Sequence, residues 1–557
     1  MIDPASIAGL TLAICDALLK LGERTAQLVQ DAKTFSEDSD RLQTKLLNEN
    51  ARTRSLRHVL FERSPVYGGM TLFQRFNEDS QEEIHVSLET LVHTLKEACI
   101  LLEKHTRGLA TPPSERMEVS ENSSPTTYTS ELSVRGLEPA LRSPSPGSSW
   151  KTFPKASMLL LRWSFHDKKR TEEILRNFAG LNGDIHEKIK LLCLASDLGL
   201  PPQNNIEHLK RLQNDASAIG LGFDIDARLR LTARNDQSVS DKPSLELDSS
   251  WSEVLTSTRS PDERLLMIER NGQNFLLEYR AVETTQGLGH TLDARTKTLI
   301  EELARILHEP KELAFCMLHC LGWKRIPGSQ RVGLIFEIPG GVVPKPTNLF
   351  HMLGSRVFLP ELGERYKLAF ALARCISQLQ LVKWVHESFR SENILFFPRQ
   401  NESSTQESFD LSKPVVLGYE FSRPELDFSS GFTDICIERD VYRHPERQGR
   451  PGKMFNKIHD IYALGVVLLE IGLWERAINL ERNNFRTARD PWVIKEQLLK
   501  QAKRRLGDKM GVRYRDVVVK CLTADFEVVN DTKDDLKLQQ AFRVQVVNVL
   551  EAGANFL

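Results

Sequence analysis

From residue 1 to about 105, apolar side chains recur every third or fourth position, the period of helices that bury one face. The clearest segment places Ile84, Leu88, Leu91, Leu95, Cys99 and Leu102 on one side, with Glu82, Glu89, Lys96 and Glu103 mostly turned away. A second helix is expected from Ser36, an N-cap followed by acidic residues in the first turn, to Glu62. The first opens the chain: Ala5 to Cys15 carries no charge, and Asp16 and Lys20 then interrupt an apolar run to Leu21. From Arg107 to Trp150 the chain is rich in Ser, Pro and Thr and poor in large apolar residues, which reads as disorder. Helical patterns resume at Ala156–Arg162, Arg170–Ala195 and Asn205–Ile219. Antiparallel helices around an apolar seam bury these faces most simply.

The period then changes. A polar stretch, Asn235 to Ser260, reads as a linker. Beyond it, Phe275–Arg280 reads as a strand entered through a hairpin turn at Arg270-Asn271-Gly272-Gln273. Thr298–Leu307 reads as a helix and Pro414–Glu420 as a β-like run, followed by a strongly apolar helix over Asn456–Glu470. Cys316, His319 and Cys320 lie in an apolar run, Leu313–Leu321, with no second ligand pair at zinc-site spacing, so a buried helix face is expected and no metal.

Bulk properties narrow the setting. At 557 residues there is room for two or three domains. A net charge of −1 gives no sign of polyanion binding, and nucleic acid is not an expected partner. Eight cysteines without pair spacing fit reduced thiols in the cytoplasm. Two basic groups, Lys168-Lys169-Arg170 and Lys503-Arg504-Arg505 with Lys509, Arg513 and Arg515, read as solvated surface; the first could also touch acidic lipid heads.

Chemistry is concentrated at His386-Glu387-Ser388-Phe389-Arg390-Ser391-Glu392-Asn393-Ile394-Leu395. This resembles the H-R-D-L-x-x-x-N catalytic loop of protein kinases with its carboxylate lost: Ser388 stands at the Asp, Glu387 at the Arg, and Asn393 at the metal-binding Asn. Gly418-Tyr419-Glu420 stands where D-F-G would, Tyr442-Arg443-His444-Pro445-Glu446 resembles Y-R-A-P-E, and Asp460 opens a helix resembling the one that runs through the large lobe. Arg280 occupies the V-A-I-K lysine position, and Glu302, or Glu301 beside it, is the candidate for its glutamate partner. No G-x-G-x-x-G precedes that strand. The resemblance covers about residues 245 to 550 and implies a pseudokinase: no catalytic residue, Ser388 and Gly418 being degenerate. Arg280, Glu302, Asn393 and Glu420 remain as the candidate nucleotide or metal cleft, with ATP, weakly bound, as its candidate ligand. A glutamate at 387 would repel an activation-loop phosphate.

The front region resembles the fungal HeLo domain of heterokaryon-incompatibility and prion-inhibition proteins. The resemblance rests on the opening Met1-Ile2-Asp3-Pro4-Ala5-Ser6-Ile7-Ala8-Gly9-Leu10 and on Leu161-Arg162-Trp163-Ser164-Phe165-His166-Asp167-Lys168-Lys169-Arg170. It implies a helix, with Ile7, Leu10, Ile14, Leu18 and Leu21 as its apolar residues, that enters membrane on activation. On residues alone the helix is too short and too charged for a constitutive span, its Asp3 does not suit a secretory signal, and an ordinary bundle helix would also fit. The combined layout is similar to that of mixed lineage kinase domain-like proteins. The fold class expected is therefore multidomain: an all-α bundle (1–221, with the insertion 107–150), a linker (222–260), and a two-lobed α+β protein-kinase-like domain (261–552). The function expected is cell-death or incompatibility signalling, in which the pseudokinase domain regulates a HeLo-like bundle that can perturb membranes; the partners expected are membrane lipids on activation and an upstream signalling protein or further copies of the chain. The protein would be cytoplasmic, with recruitment to the plasma membrane. An atypical active kinase and a non-enzymatic adaptor are the alternatives.

Overall fold

The computed structural model describes residues 4–31, 37–110, 168–233, 243–257, 264–281, 292–326, 329–353, 355, 358–399, 408–419, 422–424, 437–448, 453–481, 485 and 490–556. The chain divides into two compact units, Met1–Glu187 and Lys188–Leu557.

In the first unit, helices α1 (Pro4–Asp31), α2 (Glu37–Phe61) and α3 (Glu78–Ala110) form, together with the beginning of α4 (Lys168–Ala195), a helical bundle. The α3 face read from the sequence is the one that packs: Ile84, Leu88, Leu91, Leu95, Cys99 and Leu102 are all buried. α1 lies against both α2 and α3. Between α2 and α3 the chain turns through two short 3-10 segments that bury Tyr67, Leu72 and Phe73, the last stacked on Phe61 at 5.1 Å. α4 is tied to α2 by Asn182, whose amide donates to the buried Glu49 carboxylate at 2.8 Å. Satisfying the acid this way avoids the cost of an unpaired buried carboxylate.

The second unit begins with the last turns of α4 and three short helices, α5 (Pro202–Asn214), α6 (Ala216–Gly220) and α7 (Asp224–Ala233). The single helix expected over Asn205–Ile219 is broken at Asp215, whose extended backbone and side chain cap a new helix by accepting from the amides of Ser217 and Ala218. Buried charges hold this part together: Lys190 pairs with fully buried Asp226 at 2.5 Å, and Arg230 with Asp197 at 3.2 Å. Part of the expected linker is ordered structure. α7 occupies 224–233, Leu245 and Leu247 exchange backbone hydrogen bonds with Trp323, and α8 (Ser250–Ser257) buries Trp251 and Leu255. A polar average concealed these few anchoring side chains.

A four-stranded antiparallel sheet follows, in the order β1-β2-β4-β3, from β1 (Leu265–Arg270), β2 (Gln273–Ala281), β3 (Cys320–Arg325) and β4 (Arg331–Glu337). Asn271 and Gly272, both at positive φ (53° and 75°), make the two-residue β1–β2 turn, as the sequence indicated. α9 (Ala294–His308) follows β2 in the chain and packs on β3. The run Leu313–Leu321 is not a buried helix face. Leu313–Phe315 is one 3-10 turn, Cys316 takes a left-handed backbone, Cys320 starts β3, and Leu313 is 95 % exposed.

The remainder is mostly helical: α10 (Leu362–Leu381), α11 (Lys457–Leu473), α12 (Pro491–Met510), α13 (Val512–Thr523), α14 (Leu536–Phe542) and α15 (Asn548–Phe556). α11 is buried on nearly every side, so its uniformly apolar sequence marks a central core helix and not an amphipathic surface one. Small antiparallel ladders sit beside it: β5 (Thr347–Asn348), β7 (Ile394–Phe396) and β8 (Val415–Val416) in one, β6 (Trp384–Val385) and β9 (Arg423–Pro424) in another. The observed class is thus a helical N-terminal region followed by a mixed region with small antiparallel sheets. Lys503, Arg504, Lys509 and Arg513 are exposed, as expected of a solvated surface.

Candidate functional site

The loop His386–Asn393 joins β6 to β7 and is fixed from below by α11. Asp460, on the first turn of that helix, accepts the backbone N–H of His386 at 2.8 Å and of Glu387 at 3.0 Å. Glu387 turns the chain with φ +64°. The His386 ring is fully buried against Phe389 and Tyr419, and burial pushes its pKa down to about 3, so it is neutral. Behind the loop, the Ser391 and Tyr442 hydroxyls share a hydrogen bond at 2.8 Å, and Tyr442 donates to Glu470 of α11 at 2.7 Å. Glu470 is fully buried and also accepts from the Ala477 amide; burial pushes its carboxyl up to about 7.

The expected cleft residues meet only in part. Asn393 and Gly418 come together, and with them two residues that sequence reasoning passed over, Arg264 and Glu278. The Asn393 amide donates to the Ser388 carbonyl at 2.6 Å, while its carbonyl oxygen accepts from the Arg264 guanidinium. Glu278, 1 % exposed in β2, accepts the Gly418 amide at 3.0 Å and stands 3.8 Å from Arg264. Ser388 gives its hydroxyl to Arg390 as an acceptor. Arg280 lies half-buried on β2 opposite Val332, and Glu302 is buried in α9. Glu301, the other candidate, is engaged by Ser244, the Leu245 amide and Arg305. Glu420 lies outside the described residues.

Two chemical consequences follow. The Asn393 oxygen, the atom that would ligate a metal, is already bonded to a fixed cation, and a metal ion would have to displace Arg264. An acid at 418 would also have no room. Gly418 has φ +95°, and a Cβ there would lie 2.0 Å from the Asn393 amide nitrogen. The gap is filled by the neighbouring side chain.

A signal for Glu278 existed in the sequence, since an acid inside Phe275-Leu276-Leu277-Glu278-Tyr279 must find a partner when the strand is buried. Arg264 has no local signal; its role depends on where the strand begins in space.

His444, Glu446 and His459 also converge, with side-chain separations of 3.8 Å and 3.6 Å to the Glu446 carboxylate. Burial pushes both histidines down to about 4. The His444 and His459 Nδ1 atoms accept backbone amides at helix starts, and Lys453 sits on Glu446. These are capping roles, which take up lone pairs a metal would need.

In the first unit, the residues expected to touch membrane are not the ones that pack most deeply. α1 buries Ala8, Thr11, Cys15, Leu18, Gly22, Thr25, Ala26 and Val29, a face of mostly small side chains. Of the expected set only Leu18 is buried; Ile7, Ile14 and Leu21 are half-buried and Leu10 is 52 % exposed. α1 is held by polar contacts: Thr11 with His85 at 2.8 Å, Asp16 with Arg57 at 2.5 Å, and Glu23 with Arg54 at 2.9 Å. Of the basic cluster that opens α4, Arg170 pairs with Glu97 at 2.7 Å. Trp163 and the insertion 107–150, apart from the end of α3, lie outside the described residues. No described helix is long and apolar enough to cross a membrane.

One protein family, a domain of unknown function (DUF7580), matches residues 344–556. Its span takes in the loop at 386–393, Gly418 and α11, less than half of the chain. No curated protein matches the sequence.

Proposed function

We propose that the protein is a cell-death or incompatibility signalling protein in which a kinase-like, non-catalytic C-terminal region controls a HeLo-like helical bundle that perturbs membranes. The observation that carries the non-catalytic half is the occupied Asn393. Phosphoryl transfer needs a base, metal ions and a cation placed on the phosphates. Here a serine stands at the position of the base, and Asn393 is held between Arg264 and the Ser388 carbonyl. Consistent with a kinase-like relation are the four-stranded sheet followed by a mostly helical region, and the core helix whose first-turn Asp460 grips the loop from beneath.

The membrane half is supported by the packing of α1. α1 is seated through Leu18, Val29 and a run of small residues, while Ile7, Leu10, Ile14 and Leu21 lie nearer the surface, where they could meet lipid first. Its ion pairs with Arg57 and Arg54 are exposed and contribute at most about 1 kcal/mol each. With Asp16, Lys20, Glu23 and Arg24 along it, α1 would lie at a lipid interface and not span it alone.

Dye release from anionic liposomes tests the proposal, comparing the full chain, an Arg57→Met full chain, and residues 1–187. Release by the fragment and by the variant, with little from the intact chain, is the expected result. Silence from all three, with the fragment helical by circular dichroism, would leave an adaptor as the better reading. Separately, Mg-ATP should leave the melting temperature of the full chain unchanged.

A further inference from the structure

In the first unit, α2 and α4 are pinned together where Asn182 meets Glu49. From that point towards their first residues they leave a cavity of about 300 Å³ between them, open to solvent along one side. Cavities that hold small molecules run from about 300 to 1,000 Å³, so this one admits a small ligand. Its floor is apolar: Leu46, Leu175 and Phe178 are buried there and offer water no partners.

The rim is cationic. Arg41 and Lys45, one turn apart on α2, and Arg176 on α4 stand exposed at the cavity. None of the three is paired with a carboxylate among the described residues. Two acids also line the space, Glu49 and Glu172. Glu49 is already compensated, by the Asn182 amide at 2.8 Å and by Arg52 at 3.3 Å. With Arg52 included, four cations meet two carboxylates, and positive charge is left over.

An apolar floor under unpaired cations fits a molecule with a tail and an anionic head. A surplus this small, carried on exposed side chains, suits a single negative charge better than a phosphate dianion, and a guanidinium fork matches the two oxygens of a carboxylate. We propose that the cavity binds a medium-chain fatty acid, its carboxylate at Arg41, Lys45 and Arg176 and its chain over Leu46, Leu175 and Phe178. The ligand bridges α2 and α4 beyond their Glu49–Asn182 contact and so ties this end of the bundle together. This site stands apart from the signalling reading above and does not depend on it.

Isothermal titration calorimetry of the full chain tests it, with decanoate below its micellar range as the probe. Decanol, octanoate and acetate are the comparisons. Decanoate should bind one per chain and severalfold tighter than decanol, which has the tail without the charge, and high salt should shrink that preference. At about fourfold in affinity per buried methylene, octanoate should be about tenfold weaker, and acetate, the head without the tail, should not register. Lys45→Gln/Arg176→Gln, changed at two exposed positions, should weaken decanoate about tenfold and leave decanol as it was. Ala179→Leu, which pushes a larger side chain into the cavity, should block both. Circular dichroism should be unchanged in both variants. No saturable binding of decanoate, decanol bound as tightly, undiminished binding in Ala179→Leu, or the same affinity in the charge variant would each overturn the proposal. Since no vesicle is present, a chain that binds decanoate but never releases dye would sink the membrane reading and leave this one standing.

Discussion

Gly418 offers the sharpest test of how the cleft around Asn393 is packed. If the chain had merely lost an acid, Gly418→Asp would return metal-dependent nucleotide binding. The structure requires the opposite. At φ +95° any side chain is strained by about 1–2 kcal/mol. The new Cβ would lie 2.0 Å from the Asn393 nitrogen and 2.6 Å from its Cγ, so Asn393 must move. Forcing extra volume into a packed site costs about 1–3 kcal/mol. Moving Asn393 strains its bonds to Ser388 and Arg264, each worth about 1 kcal/mol. Since these terms overlap, we expect a loss of about 2–5 kcal/mol, already present in Gly418→Ala. Urea unfolding followed by tryptophan fluorescence measures it, because Trp251, Trp323, Trp384, Trp474 and Trp492 all lie in the second unit. The midpoint should fall in both variants, and neither should gain binding of Mg-ATP. A Gly418→Asp protein as stable as its parent that acquires Mg-dependent nucleotide binding would refute the reasoning, since Asn393 would have to be free to leave.

Three further outcomes are expected. Glu470 has a folded pKa near 7 against an ordinary value of 4.5, so its share of stability is full below pH 4.5 and lost as pH rises through 7; Glu470→Gln should flatten that slope and stabilise the protein at pH 8 by at most about 3 kcal/mol, read by denaturant midpoints at pH 5 and pH 8. Lys190→Met leaves Asp226 buried without its cation and should cost about 3–5 kcal/mol, largely recovered in Lys190→Met/Asp226→Leu, by the same urea assay. Arg57→Met should change stability by less than about 1 kcal/mol while raising hydrogen exchange in α1; unchanged exchange would mean that the Asp16 contact does not hold the helix.

The helices of the first unit were legible because each buries one periodic face, and the α3 stripe from Ile84 to Leu102 is that face. The loop was legible because its chemistry sits in consecutive residues. What stayed hidden depends on distance in space. Arg264 reaches Asn393 across 129 positions, and the linker read from composition holds Trp251 and Leu255 in a core. On α1, hydropathy singled out the large residues, while the packed face also uses Thr11 and Gly22, small side chains that a hydropathy scale ranks low. The apolar run at Leu313–Leu321 misled for a related reason: its length suits a helix, and only the left-handed turn at Cys316 shows the chain entering a sheet.

The pairing of Arg264 with Asn393 also bears on how this part of the molecule can move. The Asn393 side chain is spent inside the protein, between Arg264, one residue ahead of β1, and the Ser388 carbonyl. With Glu278 of β2 holding the Gly418 amide, the sheet braces the loop region at a second point. Neither contact can open without disturbing the other, so the edge of the sheet and the 386–393 loop move as one piece.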